Sequence, residues 1–267
     1  MSSFLPNMFS PHIDKATIQS LPMTHFEGEV IIVDHPDKVC AAVEYLSQHA
    51  ILGVDTEARP SFKRGVHYPT ALVQVSTLER CYLFRLTHVG MPQELADVFA
   101  NPNICKVGLA FKDDLTGLKR RRMFKPANCV DLQSSVCKYG IMELGLQKIF
   151  AIIFGKKISK AQQLTNWENS HLTPEQARYA STDAWATLSI YLALQQVKPL
   201  SRKQVEALKH AEREAQIQRQ QEALARKQNT DGSQKKDDEP SALGKGCYCL
   251  GKFPDSFFNV LYRSILK

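Results

Sequence analysis

The sequence predicts an α/β domain in which helices pack on a mixed sheet of five to six strands. Three observations carry that expectation. Short β-branched or apolar runs come first, at Val30-Ile31-Ile32-Val33, Ala50 to Glu57, Ala71 to Ser76 and Arg80 to Arg85. Strand-like and helix-like periodicities then alternate as far as residue 132, and beyond it the pattern is mostly helical. Strands, then alternation, then helices give a sheet with helices laid on it.

Taken in order, residues 1–28 are irregular, punctuated by Pro6, Pro11 and Pro22, and read as a mobile or draped leader. A domain is expected over 29–198. After the Val30–Val33 run, Asp37 to His49 is amphipathic, with Val39, Ala42, Val43 and Leu46 on one helical face. The strand Ala50-Ile51-Leu52-Gly53-Val54 runs into acid at Asp55-Thr56-Glu57. Ala71–Ser76 and Arg80–Arg85, joined by Thr77, Leu78 and Glu79, predict a hairpin, so these three runs form consecutive antiparallel strands. A helix over 92–100 leads to a strand at Ile104–Leu109, a helix over 113–122 and a fifth sheet strand at Cys129–Leu132. Helices follow at 145–154 and 173–197. The second opens with Thr173-Pro174-Glu175-Gln176, which supplies an N-cap, a first-position proline and a glutamine at N3.

Composition changes at Pro199. Residues 199–228 read as a charged, exposed helix whose sparse apolar positions (Val205, Leu208, Ile217, Leu224) sustain no heptad seam. Residues 229–246 have the composition of a disordered linker. Apolarity returns in 247–267 at Phe253, Phe257, Phe258, Leu261 and Ile265. The charged helix and this segment together are read as a docking element for a protein partner, or the segment as folding back on the domain.

The chain has 267 residues, 43% hydrophobic and 23% charged, which excludes wholesale disorder. Its formal net charge of +7 is compatible with an anionic partner such as nucleic acid. The seven cysteines are odd in number and mostly sit in apolar runs, which suits reduced, buried thiols in a cytoplasmic protein better than a disulfide framework. Met1-Ser2-Ser3-Phe4-Leu5-Pro6 lacks the pattern of a secretory signal, and no run approaches the ~18 apolar residues of a membrane span.

Three local features bear chemistry. Asp55 and Glu57 are two apart on a strand, so they share a face roughly 6–7 Å apart along it. No lysine or arginine lies in the immediate run to neutralise them. Two such carboxylates repel unless a proton or cation intervenes, and hard oxygen ligands suit Mg²⁺ or Mn²⁺. Tyr179 and Asp183 are four apart, on one helix face with Cβ atoms ~6 Å apart. Small neighbours, Ala180, Ser181, Ala184 and Ala186, allow that face to lie close against a sheet. Between these, a strand passes directly into a helix at Val107-Gly108-Leu109-Ala110-Phe111-Lys112-Asp113-Asp114. One of the two aspartates is expected to cap the helix, leaving the other to face the sheet edge where Asp55 and Glu57 end. Singly, each feature also reads as ordinary structure: solvated strand-end acids, a packed tyrosine with a surface aspartate, a helix cap.

In this order the acids resemble the DEDDy branch of the DnaQ-like 3′–5′ exonucleases, in particular the ribonuclease D and Werner-syndrome exonuclease-like group. The resemblance spans roughly Val30 to Leu194. It extends to Ala71-Leu72-Val73-Gln74-Val75, similar to the family's second strand, and to Leu144-Gly145-Leu146, Ser159-Lys160-Ala161-Gln162 and Asn166-Trp167 ahead of the third motif. It implies a ribonuclease H-like fold and catalytic residues Asp55, Glu57, Asp114, Tyr179 and Asp183. Asp114 is preferred to Asp113 because aligning Val107-Gly108 with the family's strand selects it. The four acids would bind two divalent cations, Mg²⁺ or Mn²⁺, with Asp55 bridging, and the implied substrate is a single-stranded 3′ end of DNA or RNA. The competing expectation is a degenerate nucleic-acid-binding module of the same fold. Filling all five polar positions weighs against it.

Two basic stretches allow more than one reading. The loop Arg59-Pro60-Ser61-Phe62-Lys63-Arg64-Gly65-Val66-His67-Tyr68-Pro69 would contact phosphate or stack on a base, or would simply be a solvated connection. Lys119-Arg120-Arg121-Arg122 is a phosphate-tracking stripe or a helix C-terminus complementing its dipole. Trp167 is expected in the core, and Cys247 with Cys249 makes no zinc site.

Overall fold

Among the described residues, six strands form one mixed sheet with helices on both faces. The computed structural model describes residues 9–230, with side chains described through residue 224. The expected linker falls outside the described residues from 231 on, and the 247–267 segment, with Cys247 and Cys249, lies wholly outside them.

A short helix α1 (Lys15–Ser20), capped by the Asp14 carboxylate at the Thr17 amide, precedes β1 (Glu29–Val33). Helix α2 (Val39–Ser47) leads to β2 (Ile51–Ala58), β3 (Thr70–Ser76) and β4 (Arg80–Arg85). Helices α3 (Leu86–Val89) and α4 (Gln93–Ala100) connect to β5 (Cys105–Gly108), α5 (Phe111–Arg121), β6 (Cys129–Asp131) and α6 (Leu132–Ser135). Helices α7 (Leu146–Phe154), α8 (Pro174–Gln195) and α9 (Arg202–Thr230) complete the described chain.

The sheet order is β1-β4-β3-β2-β5-β6. β2, β3 and β4 form an antiparallel meander, while β1 joins β4, β5 joins β2 and β6 joins β5 in parallel. The Val30–Val33 run is thus the sixth strand, at an edge beside the hairpin. In that hairpin the Thr77 hydroxyl receives the Glu79 and Arg80 amides.

Alternation along the strands divides the core. Leu52, Val54, Val73, Val75, Tyr82 and Phe84 face α2, α4 and α5 in one cluster. Leu72, Cys81 and Leu83 face α8, against Ala180 and Ala184. A third cluster joins α7 and α8 with Phe9, Ile13 and Ile18, so residues 9–28 lie packed along the domain. The Thr24 amide bonds the Lys157 carbonyl and the Met142 amide bonds that of Pro11, which fixes the segment's path.

Helix α8 starts where its sequence signature places it: the Thr173 hydroxyl accepts the Gln176 amide and Gln176 Oε1 accepts that of Thr173. Gln176 is buried, and its Nε2 also reaches Thr165 and the Asn166 carbonyl, tying down the preceding loop. At the helix's middle, a Cβ on Gly53 would lie 2.1 Å from the Ala184 carbonyl oxygen. Only glycine permits α8 to approach β2 this closely, and that approach brings Tyr179 and Asp183 over the strand's acidic end.

Candidate active site

β2 is apolar and buried through Leu52, Gly53 and Val54 and becomes partly exposed from Asp55. The ladder to β3 shifts register between Glu57 and Ala58, a bulge of the kind that ends pairing and re-aims side chains beside functional sites. Asp55 and Glu57 project toward α8, and the helix returns Asp183 to meet them. One carboxylate oxygen from each of the three lies within 4.8 Å of the others. They line a cavity of about 290 Å³ together with Tyr179, Lys160 and Gln163.

Thr56 alternates to the opposite face, where its hydroxyl donates to Asp114 Oδ1 at 2.5 Å. Asp114 therefore stands outside the three-carboxylate cluster but beside it, close enough to raise the pKa of both Asp55 and Glu57. Asp113 is exposed on the same helix turn, which places Asp114 and not Asp113 at the acid cluster. Neither aspartate caps α5. That expectation is corrected by Asp131 at the end of β6, whose two carboxylate oxygens accept the Ala110 amide at 3.0 Å and the Phe111 amide at 3.1 Å. Ala110 adopts a left-handed φ of 54°, so the chain turns sharply from β5 into α5 around Asp131. A long-range cap of this kind leaves no local spacing signal.

Electrostatically the pocket disfavours its own charges. Burial first, then Asp183 and Glu57, push the Asp55 carboxyl well above the usual range. Glu57 is raised to about 9 by burial and by Asp183 and Asp114. Asp114 rises to about 7, mainly by burial, with the Thr56 hydrogen bond opposing. Asp183 also rises to about 7 by burial, moderated by a hydrogen bond from Tyr179 and the charge of Lys160. The Tyr179 phenol is itself raised by burial and by the nearby carboxyls, so it holds its proton at neutral pH. Trp167, fully buried, packs against Tyr179 with ring centroids 6.0 Å apart and fixes the phenol's approach.

The donor set fits a hard divalent cation: carboxylate oxygens alone, gathered where burial makes each negative charge unfavourable without a counter-charge. Asp55, Glu57 and Asp183 could hold one ion.

The basic stretches separate. Arg121 donates to the Leu86 carbonyl, and Arg122 to the Met91 carbonyl and Gln93, so both brace the turns around α3 and α4. The 59–69 loop leaves β2 just past Glu57. Arg59 lies over the Tyr68 ring at 4.9 Å and 3.7 Å from Glu168, while Phe62 is 85% exposed. Sequence reasoning gave no role to Thr56 or Gln163 and quoted Lys160 only as part of a motif. For Thr56 a signal existed, since the residue between two same-face acids must point the other way.

A carboxylate-bearing pocket at the end of a central strand, in a mixed sheet covered on both faces, is the arrangement of a ribonuclease H-like fold. The solved structures agree on the fold. The Aedes aegypti Nibbler EXO domain matches with TM-score 0.59 at 23% identity, covering 69% of this chain and 99% of that one. Escherichia coli RNase D matches with TM-score 0.57 at 22% identity, covering 72% of this chain and 51% of that one. A family model described as "3′-5′ exonuclease" matches residues 30–198, and the chain belongs to that family. Among curated relatives, the bifunctional 3′-5′ exonuclease/ATP-dependent helicase WRN of Mus musculus is 30% identical over 212 residues. That match takes in 75% of this chain but 15% of the mouse protein's length.

Proposed function

We propose that the chain is a divalent-cation-dependent 3′–5′ exonuclease that hydrolyses phosphodiester bonds at single-stranded 3′ ends of DNA or RNA. The observation that carries this reading is the convergence of Asp55, Glu57 and Asp183 within 4.8 Å in a pocket where burial drives all three toward neutrality. A fold that only bound nucleic acid would have no use for carboxylates held so unfavourably against a polyanion. Divalent ions, Mg²⁺ or Mn²⁺ in a pair, would supply relief of phosphoryl charge and a more acidic attacking water. Asp55, Glu57 and Asp183 would hold the first ion, and Asp114 would serve the second. Thr56 orients Asp114 through its hydroxyl. Tyr179, a protonated donor and not a base, aligns Asp183 and directs a water toward the scissile phosphate. Lys160, the cation lining the cavity, offsets phosphate charge there.

The loop of Phe62, Lys63 and Arg64 beside Glu57 supports a role in contacting the substrate strand. Escherichia coli RNase D is an exoribonuclease involved in structured RNA processing, which supports testing RNA first. The buried free thiols of Cys81 and Cys105 support a reducing, cytoplasmic setting. The region beyond residue 198 is proposed to dock a protein partner, tested by deleting residues 229–267 and measuring oligomeric state.

Matched RNA and DNA oligonucleotides with 5′ labels, incubated with Mg²⁺, Mn²⁺ or chelator, test the activity. The expected result is a ladder shortening from the 3′ end with either cation and none with chelator. Internal cleavage, or degradation in chelator, overturns it.

A further inference from the structure

Gln74 sits at the middle of β3 with no exposed surface, and neither its Nε2 nor its Oε1 has a hydrogen-bond partner. Buried side-chain amides are nearly always satisfied, because desolvating one without a partner is unfavourable. A methionine would fill the same volume without polar atoms, so packing alone does not call for an amide here.

Its place in the sheet identifies what it serves. The register sets Gln74 directly opposite Asp55 on β2 and opposite Leu83 on β4. Directly opposed residues of an antiparallel pair project from the same face with Cβ atoms ~4.5–5.5 Å apart, a distance a glutamine amide spans. That face is the one α8 covers. The hydroxyls nearby are engaged: Ser76 bonds the Thr77 carbonyl, and Thr187 bonds the Val107 and Ala184 carbonyls. Leu72 and Leu83, on the same face, offer no acceptor. Directly across the ladder, the carboxyl of Asp55 is the acceptor that the register sets beside it.

We propose that Gln74 is a positioning residue of the acid cluster: unpartnered while the pocket is empty, its Nε2–H would donate to the Asp55 carboxylate once a cation is held there, and would keep that carboxylate facing the ion. The inference rests on reading that pocket as a divalent-cation site. Gln74 touches neither substrate nor cation; it acts through Asp55, from the side of the carboxylate turned away from the cavity. Groups supporting a ligand in this way typically change cation affinity by about 10–100-fold when removed.

The test is thermal unfolding of the full chain, stripped of metal and titrated with Mn²⁺, for the wild type and Gln74→Met. In chelator Gln74→Met is expected to unfold at or above the wild-type temperature, since an unsatisfied amide is gone. Its Mn²⁺ midpoint is expected about 10–100-fold higher, with oligonucleotide hydrolysis recovering at saturating Mn²⁺. A wild-type midpoint in the variant overturns the proposal while leaving the cation reading intact. The absence of any Mn²⁺-dependent shift in the wild type overturns both. Should Gln74→Met not fold, the side-chain amide resonances of Gln74 in the wild type decide the matter. They should move downfield and exchange more slowly on adding Mg²⁺, and unmoved resonances at saturation overturn the proposal.

Discussion

Replacing Asp183 by asparagine should make the metal-free protein more stable at alkaline pH while abolishing its activity. Burial pushes the Asp183 carboxyl up to about 7 from an ordinary 3.8. A carboxyl raised by folding favours the folded state fully below its unfolded pKa and loses that advantage as pH rises through the folded value. The window for Asp183 therefore runs from about pH 4 to about 7, and Glu57, raised from 4.5 to about 9, extends it upward. A shift of about three units at about 1.36 kcal/mol each is roughly 4 kcal/mol lost by pH 8.5, a large share of a typical ~5–15 kcal/mol. Of this, about 2.7 kcal/mol falls above pH 5, so for a domain of this size Tm should fall by roughly 5–11 °C between pH 5 and 8.5 on account of Asp183. A cation at 100 times its Kd would restore about 2.7 kcal/mol. Differential scanning calorimetry in chelator, at pH 5 and 8.5, with and without Mn²⁺, measures each step. Asp183→Asn retains an acceptor for Tyr179 but carries no charge, so its Tm should fall less with pH and gain less from Mn²⁺. A chelated wild type equally stable at both pH values, or a variant as pH-sensitive as the wild type, would refute the reasoning.

Gly53→Ala forces α8 off β2, because its methyl would meet the Ala184 carbonyl at 2.1 Å. A loss of about 1–3 kcal/mol is expected, seen as a lower urea midpoint, together with activity down by more than about tenfold as Asp183 is displaced. Thr56→Val keeps the strand but removes the hydrogen bond that holds the Asp114 pKa down. The acid limb of the pH–rate profile should then move to higher pH, with Tm nearly unchanged. Asp131→Ala removes the acceptor for the Ala110 and Phe111 amides. It should cost about 0.5–2 kcal/mol in denaturant titration and lower activity through Asp114, although Asp131 is no part of the pocket.

How much of this was legible in the sequence varies with the range of the forces involved. The order of elements was readable because period-two and period-3.6 patterns are local, and the start of α8 because Thr173, Pro174 and Gln176 cap it within four residues. Asp55 with Glu57, and Tyr179 with Asp183, were legible as pairs, since each pair's spacing puts it on one face. The convergence of the pairs was legible only through the family resemblance and not from spacing: it depends on Gly53 admitting α8 at Ala184, a contact between positions far apart in the chain. Asp131 was likewise invisible as the cap of α5, because the acids next to that helix, Asp113 and Asp114, offered the obvious local answer. Helix α1 was missed because six residues between prolines are too few for a periodic signal.

The stability of the sheet and the chemistry of the pocket draw on β2 in opposite ways, and the strand resolves the conflict by position. Through Leu52 and Val54 it is buried on the α2, α4 and α5 face, and Gly53 lets α8 seal the other. Two residues on, the same burial that stabilises those side chains penalises Asp55 and Glu57. The bulge after Glu57 then ends the regular pairing, so the penalty is confined to one end of a strand whose remainder is well packed. An acid pair moved two residues earlier, to positions 53 and 55, would set a carboxylate against the Ala184 carbonyl and prevent closure of α8. Moved two residues later, to positions 57 and 59, its second acid would leave the sheet for the exposed 59–69 loop and titrate as an ordinary surface acid. The position of Asp55 and Glu57 is therefore the one at which the strand is ordered enough to aim carboxylates and open enough to admit a cation.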